Sequence, residues 1–310
     1  MPRIVPVIDI TPFRDGTDPA AVTAAVDAAC REIGFLVVTG HGVRTETLRR
    51  GVAAMRDFFA LPTEEKSRYG GGDGAGSGYH AFANMSLGQS LGADAPVDLR
   101  EGFSAMKHDL LDPDAATWAG EGATSQMRLA LLDYYTEMNR VADTLMEIFA
   151  LALGREASFF EQYTFRHDSN MGVFHYPPMT EQPLPGQLRG GAHTDFGGVT
   201  VLHADPTVEG LQVWDGEEWE DVPVVPGAFV INLGDLMQRW TNDVWTSTLH
   251  RVANPVEGRW DSDRISIAFF HQPNHDARIE SLDRERPSRY APITSGEHFL
   301  EKIGAMAVTT

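Results

Sequence analysis

Cysteine is nearly absent from this 310-residue chain. The lone Cys30 excludes an internal disulfide and a cysteine-based zinc cluster, and it suits a reducing compartment. Basic residues are scarce as well, 25 Lys and Arg against 44 Asp and Glu, for a formal charge of −19. A surface of that sign repels nucleic-acid phosphates and anionic lipid, so neither is an expected partner. No apolar run approaches the roughly 18 residues of a membrane span. The first residues lack the apolar core of a signal peptide. These absences lead us to expect a soluble, cytoplasmic protein, and they leave oligomeric state open. Residues 70–78 read GGGDGAGSG, with no Lys after them, so a phosphate-binding loop is excluded and a surface loop or lid is expected.

What is present reads as globular. Apolar residues make up 42 % and charged residues 22 %, enough for a substantial core in one large functional domain. A short strand is expected over residues 4–8. Asp18 followed by Pro19 is a helix start, and Gly34 ends that helix before the apolar run Phe35-Leu36-Val37-Val38. Thr45 is expected to cap a second helix carrying Leu48, Val52, Met55, Phe58 and Phe59, and Thr63 opens a third. Residues 123–153 hold apolar side chains every three or four positions: Leu129, Leu132, Tyr135, Met138, Val141, Leu145, Ile148 and Leu151. From about residue 170 the character changes. Short β-rich runs at 171–176, 199–204, 211–214, 228–232, 248–252 and 264–271 argue for a sandwich or barrel. Residues 295–305 read as a final short helix. The implied organisation is a mostly helical region 1–165, a β core 166–285 and a tail 286–310.

The β half carries a metal-ligand pattern. His-x-Asp occurs as His193-Thr194-Asp195 and again as His203-Ala204-Asp205. On one strand, side chains two apart share a face, so both ligands point the same way. Glycines flank the first pair and permit close approach; the second runs into Pro206 and reads as an edge or turn. His250, in Thr248-Leu249-His250-Arg251-Val252, is a candidate third ligand on a facing strand. Two His and one carboxylate are the facial set of non-haem Fe(II) enzymes. In 264–271, Ile265, Ile267 and Phe269 share one face and Arg264, Ser266, Ala268 and Phe270 the other. An inward Arg needs an anion, and a guanidinium grips a carboxylate through two hydrogen bonds. His271 falls on the Ile face and is not counted as a ligand.

The ordered set His193-x-Asp195, His250 and Arg264-x-Ser266 resembles the iron(II)/2-oxoglutarate dioxygenases, in particular the isopenicillin N synthase-like branch. Val5-Pro6-Val7-Ile8-Asp9, the segment from Gly34 to Val43, Tyr176-Pro177-Pro178, Gly210-Leu211-Gln212-Val213 and Asn232-Leu233-Gly234-Asp235 are similar to that branch too. The resemblance implies an α+β fold with a double-stranded β-helix, or jelly roll, wrapped by N-terminal helices including one long one. It implies Fe(II) bound by His193, Asp195 and His250, with O2 as oxidant. It implies 2-oxoglutarate held at its far carboxylate by Arg264 and Ser266, with Tyr176 donating to the same group. Phe174 stands where many relatives have Asn. The implied activity is hydroxylation, desaturation or cyclisation of a small molecule with release of succinate and CO2, in specialised metabolism such as antibiotic biosynthesis. Tyr79, Arg100, Phe103 and Phe196 are the expected substrate contacts, with Asp98 or Glu101 as a competing partner for Arg100. The alternatives are an oxidase working without 2-oxoglutarate, an ethylene-forming enzyme, a zinc hydrolase and a non-catalytic binder.

Overall fold

Strand alternation organises the molecule. The computed structural model describes residues 5–69, 77–91, 95–118, 123–204, 208–256, 259–283 and 285–306. Within them twelve strands build two sheets: β1 (Val7–Asp9), β2 (Phe35–Thr39), β3 (Gly78–His80), β4 (Glu101–Met106), β5 (Asn170–Tyr176), β6 (Gly190–His193), β7 (Val199–Ala204), β8 (Leu211–Trp214), β9 (Trp219–Asp221), β10 (Phe229–Leu233), β11 (His250–Val252) and β12 (Arg264–His271). The large sheet runs β1-β2-β10-β7-β12-β5-β4-β3 and the small one β6-β11-β8-β9. Only β1 and β2 pair in parallel; every other pairing is antiparallel. This is the expected α+β jelly roll, and four of the large sheet's strands come from before residue 166.

The two faces of the large sheet meet different neighbours. Ile265, Ile267 and Phe269 of β12 join a core shared with the long helix Ala123–Ala152. There Phe269 meets Tyr135 edge-on at 5.1 Å between ring centroids. Burying such side chains stabilises the fold by about 1.5–3 kcal/mol each. A second apolar cluster lies between the sheets and includes Phe35, Val37, Tyr176, Leu211, Val213 and Val252.

The helix starts were partly legible. Asp18 caps the helix Pro19–Glu32, accepting from the Ala21 amide at 3.0 Å. Thr45, expected as a cap, is instead the first helical residue of Thr45–Phe59. Arg44 takes the capping position, because its carbonyl accepts from the amides of Thr47 and Leu48. The long helix also turns slightly from expectation. Leu129 is 49 % exposed, whereas Leu131, Tyr134 and Phe149 are buried. A step of three residues falls about 60° short of a full turn, so three such steps put Leu129 opposite Met138, while the buried face runs through Met127, Leu131, Tyr134, Met138, Val141 and Leu145. Most of the Gly-rich stretch 70–78 lies outside the described residues.

Candidate metal centre and its cavity

His193 ends β6, and His250 opens β11. The two are direct partners across these neighbouring antiparallel strands. His250 was expected on a facing strand; it lies beside His193 because a cross-strand pair brings side chains closest. The imidazole centroids are 4.2 Å apart. Asp195 is not on the strand but in the turn after it. There its carbonyl accepts from the Asp235 amide at 2.7 Å.

The hydrogen bonds leave three atoms free to converge. His193 Nδ1 faces the Gly191 carbonyl at 2.9 Å, and His250 Nδ1 the Thr248 carbonyl at 3.1 Å. Each carbonyl can only accept, so each Nδ1 carries hydrogen and each Nε2 presents a lone pair. Asp195 Oδ2 accepts from the Thr200 hydroxyl and from Asn232 Nδ2 at 2.7 Å. Asp195 Oδ1 lies 3.8 Å from His193 Nε2 and 3.9 Å from His250 Nε2. The three groups each offer a ligand atom within 4.8 Å of the others. Such a set fits one small divalent ion with open positions, and Thr200 and Asn232 orient the carboxylate as outer partners of a metal ligand do.

Charge supports the geometry. Burial, then the neighbouring His250, pushes the His193 imidazole down to about 3. It is therefore neutral at physiological pH, as a ligand must be. Burial alone would raise Asp195, but His250, His193 and the bonds from Thr200 and Asn232 outweigh it and hold the carboxyl below its usual range.

The three side chains line a cavity of about 280 Å³ between the sheets. Arg264, Ser266, Ala268 and Phe270 of β12 form one wall, as their alternation implied. Arg264 is 1 % exposed. Its only described hydrogen bond runs to Ser266 Oγ at 3.3 Å, its guanidinium stacks 4.9 Å from the Tyr176 ring centroid, and its Nε has no partner. A buried cation so poorly compensated fits an incoming carboxylate.

The expected substrate contacts divide. Phe196 and Arg100 line the cavity. Tyr79 and Phe103 do not, and that expectation is corrected. They are register partners on the other face of β3 and β4. Tyr79 donates to buried Glu101 at 2.5 Å, and Phe103 packs on Phe58 and Trp118. Ser104 and Met106, one step out of phase with Phe103, take the cavity side. The second His-x-Asp also separates from the site: His203 faces Tyr134 of the long helix, and Asp205 lies outside the described residues. Lining residues not foreseen include Asn170, Gln272, the turn Met85–Ser90 and Phe299 of the helix Ser295–Met306. Gly191 shows what the flanking glycines do, since a Cβ there would lie 2.9 Å from the Gly88 amide.

Comparison with known proteins names the architecture. The sequence profile of the 2OG-Fe(II) oxygenase superfamily matches residues 167–273, and that of a non-haem dioxygenase in morphine synthesis, N-terminal region, matches residues 5–123. The 2-oxoglutarate-dependent dioxygenase caaD of Aspergillus niger is 34 % identical over 284 residues, covering 86 % of this chain and 84 % of that one. This chain belongs to the 2OG-Fe(II) oxygenase superfamily. It is an Fe(II)- and 2-oxoglutarate-dependent oxygenase using O2. This oxygenase is also 32 % identical over 291 residues to the validamycin A dioxygenase of Streptomyces hygroscopicus subsp. limoneus, covering 90 % of this chain and 79 % of that one. Among solved structures it is similar to a full-length Neurospora crassa protein in complex with alpha-KG and thymine. There the TM-score is 0.86 at 27 % identity, over 97 % of this chain and 96 % of that one. Among the described residues no helix is long and apolar enough to cross a membrane.

Proposed function

We propose that this oxygenase hydroxylates, desaturates or cyclises a small molecule of specialised metabolism, with His193, Asp195 and His250 holding Fe(II) and Arg264 and Ser266 holding the far carboxylate of 2-oxoglutarate. The observation that carries the assignment is that three converging donor atoms and one buried guanidinium, with no anion beside it among the described residues, share a single cavity. One relative is named for validamycin A and one neighbour is seen with thymine, in keeping with a small-molecule substrate. One buried thiol suits a reducing, cytoplasmic setting.

Bound Fe(II) with 2-oxoglutarate supplies the oxidising power: O2 is consumed, the keto acid becomes succinate and CO2, and a substrate C–H bond is oxidised. The chain's part is positional. Thr200 and Asn232 fix the Asp195 carboxylate so that Oδ1 faces the shared point. The Gly191 and Thr248 carbonyls fix the imidazole tautomers. Arg264, held by stacking on Tyr176, sets the reach of the cosubstrate. Phe174, Phe196, Phe270 and Phe299 give the cavity apolar walls.

The test is anaerobic titration of the protein with Fe(II) and 2-oxoglutarate, followed by succinate measurement under O2. We expect a weak visible charge-transfer band and succinate release. Arg264→Ala should raise the 2-oxoglutarate requirement by about tenfold or more, the worth of a lost charge-assisted pair. An unchanged requirement sinks the cosubstrate assignment.

A further inference from the structure

Arg100 has one carboxylate beside it, Asp98, and guanidinium donors to spare. Its side chain is 10 % exposed, yet it lines the cavity. Its Nε lies 3.5 Å from Asp98 Oδ2, too far for a good hydrogen bond. Asp98 is already engaged, accepting from the Gly191 amide at 2.8 Å and the Leu87 amide at 3.1 Å. Among the described residues, no group accepts a hydrogen bond from the terminal guanidinium nitrogens of Arg100. The guanidinium carbon stacks 4.3 Å from the Phe174 ring centroid, which holds the fork in one plane. A planar, pre-oriented fork with spare donors is built for a carboxylate.

The surroundings describe the rest of the ligand. Met85, Leu87, Phe196, Phe270 and Phe299 offer apolar contact within the same cavity. The cavity's 280 Å³ is small for a ligand pocket, where roughly 300–1,000 Å³ is usual, and the cosubstrate shares it. Arg264 does not compete for this role, because it stands on β12 over Tyr176 and serves the cosubstrate in the reading above.

From this we infer that the substrate is a small carboxylic acid with an apolar body, its carboxylate gripped by Arg100. The inference rests on the oxygenase reading, and the experiment separates the two. Protein loaded with Fe(II) and 2-oxoglutarate under argon is titrated calorimetrically with benzoate, phenylacetate, hydrocinnamate and hexanoate, and with their primary amides. At least one acid should bind tenfold or more tightly than its amide. Arg100→Gln should bring that ratio close to one, and Arg100→Lys should keep part of it because the charge stays while the fork is lost. The Kd for 2-oxoglutarate should not move in either variant. Arg100→Lys also serves as the probe if Arg100→Gln folds poorly, which its Tm reports. The inference is overturned if no acid binds below millimolar concentration or if the acid-to-amide ratio survives Arg100→Gln. It is overturned as well if Arg100→Gln weakens 2-oxoglutarate instead, which would give the guanidinium to the cosubstrate. Failure of the wild type to bind 2-oxoglutarate at all would sink the oxygenase assignment rather than this one.

Discussion

His193 and His271 are both buried imidazoles pushed down to about 3, mainly by loss of water. They stand on different sheets and do different things. His193 presents a free Nε2 to a cavity where Asp195 and His250 present their own ligand atoms. His271 sits on the core side of β12, behind the cavity, in a chain of hydrogen bonds. Lys107 Nζ lies 3.3 Å from His167 Nε2, His167 Nδ1 lies 2.7 Å from Ser169 Oγ, and Ser169 Oγ lies 3.0 Å from His271 Nδ1. Lys107 can only donate, so each later donor and acceptor follows, and the His271 hydrogen falls on Nε2, which has no partner. A perturbed pKa therefore marks burial at both places and a site at only one. Convergence of free ligand atoms on a shared cavity makes the difference.

The largest effect that could break this contrast lies on the cavity side. Asp195→Ala or His193→Ala should lower substrate-coupled succinate release at least a thousandfold, on the scale of a lost essential group. The Tm of the metal-free protein should barely change for His193→Ala and should fall modestly for Asp195→Ala, which strips the Thr200 hydroxyl and the Asn232 amide of their acceptor. Wild-type turnover in either variant would end the ligand assignment. Next in size, Asn232→Ala should weaken Fe(II) binding by about tenfold to a hundredfold, as loss of an outer-shell partner does. Direct metal titration decides it. An unchanged Kd would mean Thr200 alone orients Asp195.

How much of this was readable in the chain follows from the same physics. Two-residue alternation placed Arg264, Ser266, Ala268 and Phe270 on the cavity wall and sent His271 to the opposite face, because strand period is a local property. Asn232 stood in a quoted motif, but its bond to Asp195 depends on β10 lying beside β7, which no local pattern specifies. Tyr79 and Phe103 were misjudged because they were taken as substrate contacts without asking which face of its strand each occupies. The residues of the turn Met85–Ser90 were not picked out for a further reason. Asp98 ties it to β6 through Leu87 and Gly191, a contact made only in three dimensions.

A smaller effect tests the core side. In the native state burial, with help from Lys107, keeps His167 near 4, and burial with His167 and Lys107 keeps His271 near 3. The unfolded chain takes up these protons below about 6.5. Stability contributed by the neutral forms is present above that value and is lost as pH falls from about 6.5 toward 4. His271→Gln should make the acid-side slope of unfolding free energy shallower, by at most about 1.4 kcal/mol per pH unit for one proton. Denaturation curves at several pH values measure it, and parallel slopes for the two proteins would show that His271 is not held neutral.

The smallest expected effect is the sharpest check on motif reading. His203 repeats the His-x-Asp spacing ten residues after His193, and its ring packs 6.4 Å from Tyr134 and 5.9 Å from Phe229, between centroids. Those neighbours put it on the same side of the large sheet as His271, away from the three converging donors. His203→Gln should therefore leave the Fe(II) Kd and the 2-oxoglutarate Kd where they were, while Tm falls modestly from the altered ring packing. A loss of iron affinity in that variant would mean that the spacing itself, rather than the face it occupies, recruits the metal, and the distinction between the two sides of the sheet would fail.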